Sequence, residues 1–496
     1  PVPPTFSWAT KINSRGVARM KWRTATLVGA TITLTACSGF CSGAGCDESF
    51  PNTLLSIQLG AQTAAGSVDP SLEGYPLEGN SSHGNEWALA MAEEGVLIGM
   101  PDADLVTYAP VKNYSGPGKL FPGLSGTLRP EQDGDRFGEK LLRVPDLNGN
   151  GHMELLVAAP NKQGGGGRIG AGAVYLFEDL GDGQLNNESA ETARLRILGD
   201  NAGDHLGSSL AICPDMDGDG LPEILLAAPD EQSLASRAGR VTLLPSTTLV
   251  DLPPQILSAS LASSWASDQT GAQLGRAITC AEDFSGDQIP DLVLAAPFAD
   301  SDSSEASGLV YIIRGGPDLK GQRVHIAAHF QLGIDQAEAY FGSSLATGDV
   351  DGDGFGDLLV GAPGANNGDG LALLYFGSDL HDGLFQPRFQ FQSDATGARL
   401  GAKVGLGDNN GDGLADVFLG GPRDNPEGLN RTFFSGSLFL FHAEDVLNTP
   451  EGVLGTDSAS TTWHAPQGYR RAGAAYSLGD VDGDELVDLF MLMGDD

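Results

Sequence analysis

The chain is short of the residues many folds rely on. Among 496 residues there are 5 cysteines, 5 tryptophans and 7 methionines, and aromatics make up 7%. So few cysteines exclude the dense disulfide framework of a small secreted domain. Lys and Arg number 28 against 65 Asp and Glu, a formal net charge of −37. A phosphate backbone would be repelled, which excludes a nucleic-acid binder. No run of helical hydrophobic period occurs, and beyond the first forty residues no apolar run is long enough to span a membrane. Glycine, by contrast, is abundant. Its 70 residues are about twice the usual ~7% share and disfavour coiled coils and long helices. The 41% of hydrophobic residues can still bury a large core, which excludes wholesale disorder.

Catalytic motifs are also missing. There is no HExxH or GxSxG, and Gly118-Lys119 is followed by Leu120 rather than the Ser or Thr of a phosphate-binding loop. Gly165, Gly167 and Gly170 satisfy GxGxxG formally, but the strand-like Ala173–Phe177 follows where a helix is needed to cradle pyrophosphate. The sequence therefore reads as a non-enzyme. A carboxylate pair of the glycosidase kind stays open, because its geometry is invisible in sequence.

The first residues read as a targeting segment. Residues 1–19 look like an upstream extension before Met20. Lys21 and Arg23 then precede a weakly apolar run, Thr24 to Ala36, and Leu34-Thr35-Ala36-Cys37. That order is a secretory signal, and its ending resembles the lipobox of bacterial lipoproteins. The resemblance implies a signal peptide over 20–36, a lipid on Cys37, attachment to a membrane only through that lipid, and a place in the cell envelope, as on the bacterial outer membrane. Residues 1–36 hold five basic and no acidic residues, so the processed chain would carry −42. Residues 37–52 form a Ser/Gly-rich tether, in which Cys41 and Cys46 could pair. For Cys213 and Cys280 a bridge and two buried thiols are both open.

Residues 53–496 repeat themselves. Six segments read alike: 137–160, 206–229, 274–297, 341–363, 400–422 and 472–494, with a degenerate seventh copy at 83–101. Each unit predicts four short strands, A to D, as in Ser209–Ile212, Ile224–Ala228, Val241–Leu244 and the weaker Leu195–Leu198 type. Four strands per repeat, seven times over, predict an all-β, seven-bladed propeller. Phe137-Gly138, Phe341-Gly342 and Gly361-Ala362-Pro363 carry the resemblance: the array is similar to the FG-GAP repeats of integrin α-subunit head domains. That resemblance implies adhesion or ligand binding, with an extracellular or envelope protein or glycan as partner. The alternatives are a secreted hydrolase with a carboxylate site on the propeller, and a purely structural envelope protein.

Within the repeats sits DxDxDGxxD. Side-chain oxygens at positions one, three, five and nine, with a main-chain carbonyl at seven, curl around one hard cation, and the position-six glycine permits the turn. The candidate sets are Asp146, Asn148, Asn150, His152 and Glu154; Asp215, Asp217, Asp219, Leu221 and Glu223; Asp283, Ser285, Asp287, Ile289 and Asp291; Asp349, Asp351, Asp353, Phe355 and Asp357; Asp408, Asn410, Asp412, Leu414 and Asp416; and Asp480, Asp482, Asp484, Leu486 and Asp488. They predict up to six calcium ions. An EF-hand is excluded, since position twelve is Leu226 or Val360 rather than Glu and Pro222 and Pro290 block a following helix.

Two further expectations concern placement. Leu54–Leu59 is expected to close the ring as a D strand of the seventh blade. The B–C loops and D-to-A crossovers share the face opposite the acidic loops, because connections alternate ends in an antiparallel blade. On it Arg423, Arg431, Phe433, Phe434, Tyr469, Arg470 and Arg471 are expected to form a patch for an acidic partner, arginine and aromatics being common interface anchors.

Overall fold

The computed structural model describes most of residues 88–494, together with the backbone of strands Ala25–Leu27, Ala30–Cys37 and Leu54–Gly60. Residues 1–24, 28–29, 38–53, 61–87, 111–124, 179–184, 425–434, 465–469, 480–485 and several shorter stretches lie outside that description.

The described strands fall into seven sheets. In the fifth, strand A is Ser344–Gly348, B is Asp357–Ala362, C is Leu371–Tyr375 and D is Phe389–Gln392. They run antiparallel, with Leu345 opposite Val360 and Leu359 opposite Leu374. The A strands of successive sheets touch in order around a ring. The seventh, Arg470–Gly479, touches the first, Ala88–Ala92, and closes it. This is the all-β propeller expected from the repeats.

Every residue of Asp357–Ala362, Glu154–Ala159 and Glu223–Ala228 is buried. The reason is that a blade is covered on both faces by its neighbours, so a B strand reads as a continuous apolar run rather than an alternation. Alternation survives in direction. Leu225 and Ala227 pack toward the fourth sheet with Leu294 and Tyr311, whereas Ile224 and Leu226 pack toward the second with Val174 and Leu176.

The Phe-Gly and Gly-Ala-Pro signatures meet across these interfaces. Gly342 has φ 89° and donates its N–H to Gly361 O at 2.9 Å within its own sheet. On its other side lies Ala295 of the preceding sheet, and a Cβ added to Gly342 would sit 2.8 Å from the Ala295 Cβ. The position needs both left-handed backbone and no side chain. Phe341 is fully buried, its N–H donated to Ser307 O at 2.9 Å. Thus the glycine of one repeat and the small residue of the previous one are two halves of a single contact.

The structure departs from four strands per sheet. Glu188–Ser189, Gln255–Leu257 and Gly452–Gly455 each add a fifth, parallel strand to the outer edge of the preceding sheet. They belong to C–D connections, which reach back across the interface. Leu54–Gly60 pairs with Leu489–Gly494 of the seventh repeat, as expected for closure, but runs parallel and directly against strand B. It takes third place in the sheet rather than the outermost place of a D strand, and Ala30–Cys37 lies beyond it. The side chains of residues 20–52, and with them the signal, lipid and tether expectations, lie outside the description. Cys213 and Cys280 form a disulfide, Cα–Cα 5.0 Å, between the A strands of the third and fourth sheets.

On the face away from the acidic loops, Asp230 holds neighbouring crossovers together. It accepts from Arg237 Nε at 2.6 Å and Gln273 Nε2 at 2.8 Å, and pairs with His205 Nδ1 at 2.9 Å. Burial pushes its carboxyl up, but His205 and Arg237 outweigh burial and bring it down to about 2. A depressed carboxylate adds stability above its unfolded pKa, and this is lost as pH falls from about 4 toward 2. Arg237 is largely exposed, so screening limits the effect to about 1 kcal/mol. Asp230→Asn is expected to cost that much at pH 6 and less than half of it at pH 2. Urea melts at both values check this, and an equal penalty at both would show the argument wrong.

Candidate metal centre

Each described acidic A–B loop is wound by its own first carboxylate. Asp349 accepts from Gly352 N at 2.7 Å and Gly354 N at 3.1 Å, and Asp408 from Gly411 N at 2.7 Å and Gly413 N at 2.9 Å. Asp146 does the same for Gly149 and Gly151, both at 2.6 Å, and Asp215 accepts from Gly220 at 2.9 Å. Positions four and six therefore bond back to position one in the loops where both are described. In the third loop Gln288 stands at position six and still takes φ 67°, with its N–H 2.5 Å from Asp283.

Two loops bring carboxylates together. Asp349, Asp351 and Asp353 offer oxygens within 4.8 Å of one another, as do Asp283, Asp287 and Asp291. The third loop has an internal cation, since Arg314 Nε lies 2.5 Å from Asp287. Burial raises Asp287, but Arg314 outweighs burial and lowers it overall. In the fourth loop no basic side chain among the described residues pairs with Asp349, Asp351 or Asp353. Burial, then Asp353 and Asp349, push Asp351 up. Stacked carboxylates with an all-oxygen donor set fit a hard divalent cation, which would neutralise them.

Position nine has a second task that the spacing did not reveal. Asp357 is fully buried and accepts from Val350 N at 2.8 Å and from Gly377 N, beyond strand C, at 2.9 Å. Burial, with Asp351 and Asp349 nearby, still raises it to about 7. Asp291 accepts likewise from Ser285 N at 2.7 Å and Gly315 N at 2.9 Å, and burial with Asp283 and Asp287 raises it to about 6. Asp416 accepts from Asn409 N at 3.1 Å and Ala443 N at 2.9 Å. Glu223 accepts from Met216 N at 2.8 Å. These carboxylates pin the loop to the blade. Neighbouring loops are also joined, Ala415 N donating to Asp349 O at 2.7 Å and Val487 N to Asp408 O at 2.8 Å.

The remaining candidates divide by what the structure describes. Asn410 and Asp412 lie in the fifth loop, Asn410 Nδ2 donating to Asp412 at 2.9 Å. Glu154 is buried at the head of its strand, and His152, Leu221, Phe355 and Leu414 sit at position seven. Asn148, Asn150, Asp217, Asp219, Asp480, Asp482 and Asp484 lie outside the described residues, as does the Asp488 side chain. Of the arginine-aromatic patch, Arg423 and Arg471 are described and exposed. Arg431, Phe433, Phe434, Tyr469 and the Arg470 side chain lie outside. Arg399, overlooked in the sequence, joins the two. Burial, then Arg399 and Arg471, lower Arg423.

Comparison with known proteins agrees with this geometry. A family model described as FG-GAP repeat matches residues 206–244 and 341–375, which span strands A to C of the third and fifth sheets. The chain is 26% identical over 376 residues to phosphatidylinositol-glycan-specific phospholipase D of Homo sapiens, covering 70% of this chain and 42% of that protein. It is 28% identical over 204 residues to integrin alpha-PS5 of Drosophila melanogaster, covering 40% and 18%. It is 33% identical over 181 residues to integrin alpha-M of Mus musculus, covering 34% and 14%. The chain thus spans less than half the length of each of these relatives. With the repeat contacts and acidic loops in place, the chain is a β-propeller that carries FG-GAP repeats and is similar in them to integrin α-subunits.

Proposed function

We propose that this propeller is a calcium-stabilised binding module, held in a cell envelope by a lipid on Cys37, that engages an extracellular or envelope protein or glycan and catalyses no reaction. The observation carrying the cation part is the uncompensated cluster of Asp349, Asp351 and Asp353. Calcium there would supply charge neutralisation. Similarity to integrin α-subunits supports a binding role, with acidic loops on one end leaving the other for a partner. Among the described residues no helix is long and apolar enough to cross a membrane, and a lipid anchor needs none.

A cation bound only by the folded chain adds RT ln(1 + [L]/Kd), about 1.4 kcal/mol per site at ten times Kd. With Kd near the ~10⁻⁴ M of extracellular modules, millimolar calcium is expected to raise the melting temperature, and chelator to reverse the rise. Asp351→Ala is expected to remove part of the rise, with Asp217→Ala as its counterpart in the second loop. A melting temperature indifferent to chelator would sink the proposal. Retention of a partner from native envelope extract tests the binding role.

A hydrolase is the second reading, favoured by the similarity to a phospholipase D. Turnover of phosphodiester or glycan substrates by the purified chain would establish it, and their persistence would remove it.

A further inference from the structure

A cavity of about 370 Å³ opens between the outer parts of the first and second sheets, within the size range of small-ligand sites. Three elements build it: the crossover carrying Glu131 and Gln132, the B–C loop of the second sheet with Gln163 and Gly164–Gly167, and Gln255 on the strand reaching back from the third repeat. It runs along the outer edge of the second sheet, from the B–C and D-to-A connections at one end to the C–D strand that carries Gln255.

Its charges are already spent on one another. Lys162 Nζ is 2.9 Å from Asp135 and 3.2 Å from Glu131. Arg196 Nε is 3.2 Å from Glu131, and its other nitrogen donates to Glu191 O at 2.8 Å. Two cations and two carboxylates cancel, so an anionic ligand finds no uncompensated charge. What remains is neutral hydrogen-bonding capacity. Gln132, Gln163 and Gln255 are exposed at the mouth, and each primary amide both donates and accepts.

At the floor lies Tyr175. It is fully buried and lines the cavity, and its hydroxyl has no hydrogen-bond partner among the described residues. A buried hydroxyl left unmatched is costly. Its ring is fixed by Phe137 and Phe177, centroids 5.6 and 6.5 Å away, so it cannot swing out to water. Leu198 adds an apolar wall. The glycine turn borders open space, since a Cβ at Gly166 would meet nothing within 4 Å.

We propose that this cavity, lined by Gln163, Gln255 and Tyr175, is a binding site for a neutral sugar. A ring of hydroxyls matches amides that donate and accept and supplies the partner the phenol lacks, while its C–H face suits Leu198. The proposal deepens the binding-module reading by naming a ligand class, and rests on it.

The test is saturation-transfer NMR on the full chain with neutral mono- and disaccharides: glucose, galactose, mannose, N-acetylglucosamine, maltose and lactose. Inorganic phosphate serves as the charged probe. At least one sugar is expected to bind, with Kd raised at least tenfold by Gln163→Ala, by Gln255→Ala and by Tyr175→Phe. The last removes one oxygen and keeps the ring packing, so melting temperature is expected to hold. Silence from every sugar, binding that survives in any of the three variants, or displacement of the sugar by phosphate would overturn the proposal. Partner retention from envelope extract is measured alongside. Retention without sugar binding refutes the sugar site alone, whereas loss of both refutes the binding-module reading as well.

Discussion

Replacing Cys280 with Ser is expected to destabilise the protein by about 4 kcal/mol. The estimate follows from the loop the bridge closes. Cys213 and Cys280 are 67 residues apart in sequence, and removing a cross-link of that length returns conformational freedom to the unfolded chain on this order. Cys213→Ser is expected to cost the same, and the double variant no more than either, because all three lose one bond. Guanidinium unfolding with and without reductant measures it. Reductant should bring the native sequence to the level of the variants and leave the variants unmoved. A midpoint insensitive to reductant would contradict the expectation.

The second large effect is expected at Gly361. A Cβ there would lie 2.0 Å from Gly401 O of the next sheet, so Gly361→Ala must push two sheets apart or distort strand B. The cost is about 3 kcal/mol, the upper part of the overpacking range. Gly354 makes the control. It has φ 86°, but a Cβ there meets nothing within 4 Å, so Gly354→Ala should cost only the backbone penalty of about 1 kcal/mol. The comparison is informative because the equivalent interface at Ala295 already accommodates a methyl against Gly342. Interfaces closed by Gly-Ala-Pro are tighter than those closed by Ala-Ala-Pro, and the two endings are not interchangeable in place. Equal melting temperatures for the two variants would refute this.

Much of this was legible because local signals repeat. Ala173–Phe177 and Leu195–Leu198 are strands with the boundaries their alternation predicts, and position one of each described loop winds the turn its aspartate suggested. What stayed hidden depends on contacts between repeats. Gln255–Leu257 is too short to announce a strand; its partner Arg196–Leu198 lies some sixty residues away. The anchoring task of Asp357 hides behind its place in the cation pattern, because the amide of Gly377 is twenty residues off. Arg399 was passed over because it precedes a Leu-Gly pair and looks like any surface arginine. The choice between a bridge and two thiols at Cys213 and Cys280 rested on a distance that spacing does not contain.

The strands that reach back to the preceding sheet are not spread evenly. They reinforce the seams between sheets one and two, two and three, and five and six. The seam between three and four has an isolated bridge, Ala266 with Arg323, and the disulfide. Between four and five neither occurs among the described residues; Leu380 of a short helix packs with Phe284 instead. Considered as a hoop under tension, such a ring has a preferred place to part. Among the seams joining sheets one to six, the fourth carries the fewest such links, so it is expected to yield first under load, before any blade unravels. The ring would then come apart as a hinged chain of intact blades, able to lengthen and re-close without losing its strands.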